Sequence, residues 1–144
     1  AYYGVQTLRA KKNFPMTGQH MHPKMIENLA KIKKAAALVH AQAGPLPERI
    51  SHAIVKARAE IIDGKLHDAF IVDPVQGGAG TSANMNANEV IANRAIELLG
   101  GQRGDYTIVH PNDHVNMAQS TNDVYPSSGK LALVGLLRDA RESV

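Results

Sequence analysis

Apolar residues recur at spacings of three and four in four stretches of the chain, a period that places them on one face of an α-helix. Gly44-Pro45, Gly64 and Gly100-Gly101 follow the first three stretches, and such residues commonly end helices. The pattern therefore predicts four amphipathic helices, over residues 24–43, 47–63 and 84–99 and from about Pro126 onward. Their apolar faces consist of Met25, Leu29, Ile32, Ala36, Val39 and Ala43 in the first, Ile50, Ala53, Ile54, Ala57 and Ile61 in the second, Ala87, Ile91, Ala95 and Leu99 in the third, and Leu133, Leu137, Ala140 and Val144 in the fourth.

The remaining segments carry no such period. Residues 1–20 are polar and interrupted by glycine and proline, so we expect an irregular segment there. Two short apolar runs, residues 70–72 and 106–109, read as brief extended pieces. Tryptophan is absent and aromatic residues make up 4% of the chain, so the core must be built from Ala, Val, Ile, Leu and Met. The sequence predicts a mainly α fold in one domain, residues 1–144, with long polar loops and little β-structure.

Charge and composition argue against several classes of protein. The net charge is only +3, and the one basic cluster, Lys31, Lys33 and Lys34, falls on the polar side of the first predicted helix. We expect a solvated helix face there rather than a nucleic-acid interface. The absence of cysteine removes disulfides, thiolate nucleophiles and zinc–thiolate sites. No apolar run is long enough to span a membrane and no signal peptide is visible, so the expected compartment is the cytoplasm.

The first polar loop, residues 77–88, runs into the start of the third predicted helix. Three glycines allow its backbone to approach a ligand closely. Three interpretations are open. Ser82 or Asn84 could simply cap the helix. Residues 78–83 match the nucleotide-binding pattern G-x-G-x-x-A, but the strand and parallel sheet that this motif needs are missing. The third interpretation is a cradle for a carboxylate, because helix N-termini present free N–H groups and a partial positive charge.

The second polar loop, residues 110–123, precedes the fourth predicted helix. His110, Asp113 and His114 could bind a metal if they lay on a helix, which Pro111 makes doubtful. The alternative is that these side chains pair with one another and with the backbone. The following residues 120–122, Ser-Thr-Asn, offer two hydroxyls and an amide that suit a carboxylate, while Asn122 or Asp123 would also serve as a helix cap.

Residues 77–95 (GGAGTSANMNANEVIANRA) and 109–126 (VHPNDHVNMAQSTNDVYP) closely resemble the first two signature regions of the aspartase/fumarase superfamily. Residues 2–18 (YYGVQTLRAKKNFPMTG) resemble the N-terminal segment of the same proteins. The resemblance spans nearly the whole chain and implies the N-terminal helical domain of a fumarase/aspartase-like fold. At Ala79 and Thr121 the chain resembles the aspartate ammonia-lyase branch, because class II fumarases usually have Ser at both positions. Ser127-Ser128 is a mild departure from the Thr-Ala or Thr-Gly that is commoner there.

The resemblance also implies a reaction. A base removes a proton from Cβ of L-aspartate, an aci-carboxylate forms, and ammonia leaves to give fumarate. Substrate binding is implied for Thr81, Ser120, Thr121 and Asn122. A secondary role is implied for Arg9 near the site, and for His110, Asn112 and Asp113 at a second anion site. The chemistry is expected to need no metal or other cofactor, while activation by Mg²⁺ stays open.

The resemblance places the rest of the machinery outside these 144 residues. The general-base serine, in a GSSxMPxKxNP loop, and the Thr-His pair of the middle signature are absent here, as are the central helical bundle and the C-terminal domain. We therefore expect no catalytic residue in this fragment and no activity from it alone. Family members are homotetramers whose active sites combine segments of three subunits. A class II fumarate hydratase, or a non-catalytic dicarboxylate-binding or assembly module, remain alternatives.

Overall fold

The computed structural model describes residues 1–143, in which it contains five α-helices and no strand. The prediction of a mainly α fold with little β-structure is confirmed. A single turn of 3₁₀-helix, His67–Ala69, and a short π-helix, Pro111–Val115, lie in the long connections. The α-helices are α1 (Val5–Asn13), α2 (Pro23–Ala43), α3 (Glu48–Ile62), α4 (Thr81–Leu98) and α5 (Thr121–Glu142).

Helix α4 runs through the centre of the molecule, packed against α1, α3 and α5. It is buried on nearly every side, and alanine is its commonest core residue, which lets neighbouring backbones approach closely. Helices α2 and α3 pack against each other as an antiparallel pair joined by a short turn, and their ends agree with the predicted ends to within a residue. The predicted apolar face of α3 is buried, with Ile50 at its edge half-buried. The predicted face of α2 was wrong: only Leu29 of it is buried, and the buried side is rotated to Ile26, Ala30, Lys33 and Ala37.

Helix α1 lies where the sequence predicted an irregular segment. Its N-terminus is held by Glu89 of α4, whose carboxylate accepts hydrogen bonds from the backbone N–H groups of Gly4 (2.9 Å), Gln6 (3.0 Å) and Thr7 (3.0 Å). A carboxylate at this position satisfies the free N–H groups of the first turn and complements the helix dipole. The prediction was wrong because α1 has almost no buried face of its own, and its cap comes from a residue more than 80 positions away.

The two short apolar runs are not extended strands. Asn86 of α4 takes the place of a neighbouring strand for the first run: its Oδ1 accepts from the N–H groups of Ile71 (2.9 Å) and Val72 (3.3 Å). Its Nδ2 donates to the carbonyl of Ala69 at 2.9 Å. Residues 106–109 form consecutive turns, in which the N–H of Ile108 donates to the carbonyl of Asp105. Both runs are apolar because they pack against the core, not because they pair in a sheet.

Helix α5 begins five residues before the predicted start, at Thr121, so that Pro126 lies inside it. Its buried residues are Val124, Ser128 and Ala132. The predicted apolar face instead points to solvent: Leu133 is 56% exposed and Leu137 is 60% exposed. Ala140 is exposed as well, and Val144 lies outside the described residues. None of the helices in residues 1–143 is long and apolar enough to cross a membrane.

Candidate functional site

The first polar loop forms one wall of a cleft of about 330 Å³. Residues 77–82 line this cleft together with Asp73 and with Ala10, Asn13 and Phe14 from the end of α1. Thr81, the first residue of α4, is exposed at its rim. The cleft therefore presents backbone N–H groups and a hydroxyl at the positive end of a long, central helix.

Gly80 is the N-cap residue of α4 and has no side chain with which to cap the helix. The interpretation that Ser82 or Asn84 is the cap was wrong. Gly80 has φ +88°, a conformation that glycine adopts without strain, and a Cβ atom at this position would overlap the ring of Tyr125 in α5. In the same turn, Gln76 Oε1 accepts from the N–H of Ala83 at 3.1 Å. Because the cap needs no side chain at residues 82 or 84, Asn84 is available for another role.

The second polar loop is stiffened by its own side chains. His110 Nδ1 accepts hydrogen bonds from the backbone N–H groups of Asn112 (3.3 Å) and Asp113 (3.1 Å), and it lies 3.2 Å from Asp113 Oδ2. The N–H of His110 donates to His114 Nδ1 at 2.9 Å. Burial lowers the pKa of His114, and the charge of Asp113 offsets part of that effect. The interpretation that these residues pair with one another is confirmed; residues 1–143 contain no group of His, Asp and Glu side chains arranged to hold a metal.

Helix α5 begins at the three residues for which a carboxylate-binding role was predicted. Ser120 is its N-cap and its Oγ accepts from the N–H of Asn122 at 3.3 Å, so the prediction of Asn122 or Asp123 as cap was wrong. Ser120 and Asn122 are exposed, and Thr121 is half-buried. The tripeptide thus combines a helix cap with side chains that reach solvent at the positive end of α5.

Asn84 joins the two polar loops. Its Nδ2 donates to Thr121 Oγ1 at 3.0 Å and to Asn116 Oδ1 at 3.1 Å. Asn84 lies one turn after Thr81, so these bonds hold the first turn of α4 beside the first residue of α5. Two helix N-termini therefore adjoin, and each adds a partial positive charge to the same region. An anionic group between them would meet hydroxyl, amide and backbone donors together.

Lys33 of α2 lies beneath this junction and is fully buried. Its Nζ donates to Asn116 Oδ1 at 3.0 Å and lies 3.5 Å from Gln119 Oε1. Burial lowers the pKa of Lys33 well below its ordinary value, and the charge of Arg58 lowers it further. Arg58 is also fully buried, and its guanidinium donates to the carbonyl of Val115 at 3.4 Å.

The prediction that Lys33 belongs to a solvated face was wrong. A signal was present in the sequence: Lys33 falls in register with Ile26, Ala30 and Ala37, at spacings of four, three and four, and these three residues are buried. A lysine on the buried face of a helix needs polar partners in the core. The second polar loop supplies them through Asn116 and Gln119.

The predicted site residues are only partly brought together. Thr81 and Thr121 belong to the joined helix N-termini, and Ser120 and Asn122 flank Thr121. Arg9 is exposed on α1, and the α1 residues that line the cleft are others. His110, Asn112 and Asp113 form the separate turn described above, and their grouping comes from that turn. Lys33, Asn84, Asn116 and Gln119 were not predicted to be site residues.

Known proteins match nearly the whole of this chain in sequence and in structure. The protein family described as Lyase matches residues 1–141. An aspartate ammonia-lyase from a Bacillus species is 55% identical over 99% of this chain and 31% of its own length. A crystal structure titled fumarate lyase:delta crystallin from Brucella melitensis, in native form, is 57% identical, with a TM-score of 0.91 over 93% of this chain and 32% of that one. A recombinant class II fumarase from Schistosoma mansoni is 41% identical, with a TM-score of 0.86 over 91% of this chain and 28% of that one.

The chain spans about a third of the length of the curated relatives that it matches. Within that third, the helical fold agrees with the expectation drawn from the superfamily signatures. Because the match covers residues 1–141 and extends to structure as well as sequence, the chain belongs to the lyase family of the aspartase/fumarase superfamily.

Proposed function

We propose that the full-length protein is an aspartate ammonia-lyase, which converts L-aspartate to fumarate and ammonia, and that this chain supplies the half of its active site that binds carboxylates. The observation that carries the proposal is the pairing of the α4 and α5 N-termini through the hydrogen bond from Asn84 to Thr121. The 55% sequence identity to an aspartate ammonia-lyase over 99% of the chain supports L-aspartate as the substrate.

The proposed chemistry explains why such a site suits the reaction. The Cβ proton of aspartate is only weakly acidic. Most of the activation barrier therefore comes from the negative charge that develops when the proton leaves. Fixed donors aimed at that charge lower the barrier more than they stabilise the substrate. We assign substrate contacts to Thr81, Ser120, Thr121 and Asn122. The side chains and N–H groups there donate, and no cofactor is needed for that task.

The remaining machinery is proposed to come from other parts of the protein. A general-base serine outside these residues takes the Cβ proton, and segments of three subunits of a homotetramer complete each active site. Arg9 is assigned to the approach to the site, and His110, Asn112 and Asp113 to a secondary anion site. The proposed compartment is the cytoplasm.

A substrate panel tests the proposal on the full-length protein, with fumarate followed by its ultraviolet absorbance. L-Aspartate is expected to give fumarate, and Thr121→Ala is expected to lower kcat/KM by about 100-fold, because one donor to the developing charge is lost. Thr107→Ala is the control, since Thr107 is an exposed threonine bonded only within its own turn. The 144-residue chain alone is expected to give no fumarate, because it lacks the base.

A second candidate is a class II fumarate hydratase, favoured by the likeness to the Schistosoma mansoni enzyme. It predicts hydration of fumarate and no release of fumarate from aspartate. A full-length protein that binds dicarboxylates but transforms neither substrate would instead be a non-catalytic binding or assembly module. An unchanged kcat/KM for Thr121→Ala would contradict the role assigned to that residue.

A further inference from the structure

A continuous set of hydrogen bonds runs from the buried Lys33 to the hydroxyl of Thr121. Lys33 Nζ donates to Asn116 Oδ1 (3.0 Å), which also accepts from Asn84 Nδ2 (3.1 Å). The same Asn84 Nδ2 donates to Thr121 Oγ1 (3.0 Å). Lys33 and Asn84 are 0% and 1% exposed, so water does not compete for these bonds from the side of the core.

Lys33 sets which groups donate and which accept in these hydrogen bonds. Lys33 Nζ donates toward both amides, so each amide faces it with its oxygen. Asn116 and Gln119 do present their oxygens to Nζ, at 3.0 and 3.5 Å. Their amide nitrogens point the other way, to backbone carbonyls: Asn116 Nδ2 to Gln119 at 3.0 Å, and Gln119 Nε2 to Val115 at 3.0 Å. Either amide, if turned over, would place its N–H group against the N–H donors of Nζ and its oxygen against a backbone carbonyl.

The orientation of Asn116 determines that of Asn84. Because Asn116 Oδ1 is an acceptor, Asn84 must face it with Nδ2. A turned Asn84 would bring two amide oxygens together. The second N–H of the same Nδ2 then lies toward Thr121, so Thr121 Oγ1 accepts. A hydroxyl that accepts from one side retains its own proton for another acceptor.

We propose that Lys33 is a positioning residue that orders Asn116 and Asn84 so that the Thr121 hydroxyl donates its proton outward, to a substrate carboxylate. The inference rests on the proposed function, because it takes the ligand of Thr121 to be a dicarboxylate. Without Lys33, Asn116 Oδ1 loses one of its two donors, and the bond to the Gln119 carbonyl is left to hold the amide in this orientation. The amides of Asn116 and Asn84 can then turn, and the Thr121 proton can turn inward to a buried amide oxygen. Buried hydrogen-bond networks of this kind act as a unit.

The test uses the full-length protein and the variant Lys33→Met, whose side chain is similar in length, is apolar, and cannot donate. It is expected to lower kcat/KM for L-aspartate by about tenfold and to weaken binding of succinate, which the reaction cannot consume, by a similar factor. Lys34→Met is the matched control, because Lys34 is the next residue of α2 and its side chain makes no hydrogen bond with residues 1–143. The control is expected to leave both quantities unchanged.

A double-mutant cycle separates positioning from general stability. In a Thr121→Val background the hydroxyl is gone, so Lys33→Met is expected to change kcat/KM and succinate binding by less than about twofold. If the two effects instead multiply in full, or if Lys33→Met alone changes neither quantity, the proposal is overturned. Asn84→Leu, which removes the middle of the same path, gives a second cycle with the same expectation should Lys33→Met not fold.

The proposed function can fail independently of the positioning role of Lys33, and a different measurement detects each failure. A wild-type protein that releases no fumarate from aspartate rejects the aspartate ammonia-lyase assignment. Succinate binding, measured by calorimetry, still reports the coupling between Lys33 and Thr121 in that case. A full-size loss of succinate affinity from Lys33→Met in the Thr121→Val background contradicts the positioning role whichever reaction the enzyme performs.

Discussion

At the scale of single residues, Asp73 anchors the segment that follows α1. Its carboxylate, 7% exposed, accepts hydrogen bonds from the hydroxyl of Thr17 at 3.0 Å and from the N–H groups of Gly18 and Val75, both at 2.9 Å. Burial by itself would raise the pKa of Asp73, but these bonds outweigh it and lower the pKa to about 2. One carboxylate thereby fixes the segment after α1 against the wall of the cleft.

The hydrogen-exchange protection of residues 14–20 is expected to depend on the charge of Asp73. A carboxyl whose pKa is lower in the folded state stabilises that state above its unfolded pKa and ceases to do so as pH falls through the folded pKa. Protection of this segment in the full-length protein, corrected for the intrinsic exchange rate, is therefore expected to be constant above about pH 4 and to fall toward pH 2.

Asp73→Asn is expected to reduce that protection at neutral pH and to remove the dependence between pH 4 and 2, because an amide at this position does not titrate. Asp68→Asn serves as the control, since the Asp68 side chain is exposed and accepts no hydrogen bond from residues 1–143. Equal pH dependence in the wild type and Asp73→Asn would contradict the assignment.

At the scale of elements, the site depends on where α4 and α5 begin. Gly80 permits the turn into α4 at φ +88° and leaves room for the ring of Tyr125. Asn84 then bonds the first turn of α4 to Thr121, which starts α5. The pairing of the two helix N-termini thus depends on the lack of a side chain at Gly80 and on the buried amide of Asn84. Neither feature is specific to a chemical reaction.

Gly80→Ala is expected to destabilise this junction by about 2–4 kcal/mol, because the added Cβ both disfavours the positive φ and overlaps Tyr125. In the full-length protein we expect a lower Tm and a lower kcat/KM together, since the change displaces Thr81 and α5 from each other. Gly78→Ala is a matched control in the same loop, because a Cβ there meets no atom within 4 Å. Indistinguishable Tm values for the two variants would show that Tyr125 does not hold the loop.

At the scale of the whole molecule, α5 presents an exposed apolar surface, which we define as Leu131, Leu133, Val134 and Leu137. These side chains are 46–60% exposed in residues 1–143, whereas the opposite side of α5 packs on α2 and α4. We expect this surface to be covered by other parts of the full-length protein, because exposed apolar patches commonly mark interaction surfaces. The relatives that the chain matches are about three times as long.

Replacing Leu133 and Leu137 with serine is expected to have opposite effects in two contexts. In the full-length protein the double replacement is expected to lower the free energy of unfolding by about 2–5 kcal/mol for each leucine that is buried there. In the isolated 144-residue chain it should reduce self-association, seen as a lower average mass in light scattering. Lys130→Ser, an exposed position on the same helix, is the control. A stabilised full-length protein would show that this surface stays in solvent.

How much of the fold could be predicted follows from how local each signal is. Helices α2 and α3 were predicted almost to the residue, because each buries one face and ends at a glycine or proline turn. Helix α1 could not be, since Thr7 is its one buried residue and Glu89 supplies its cap. The early starts of α4 and α5 were missed because Gly80 and Ser120, rather than residues nearer the apolar stripes, cap them.

The sequence by itself determined the class of fold, the family, the two polar loops and the four residues proposed to contact the substrate, since all of these lie in contiguous stretches of chain. Tertiary structure decided that Thr121 meets Asn84 of the first polar loop, and that the buried Lys33 lies behind them. Lys33 looked like one of three surface lysines. Only the packing of α2 beneath the second polar loop removes it from water, and a charge removed from water must be held by donors and acceptors from distant parts of the chain.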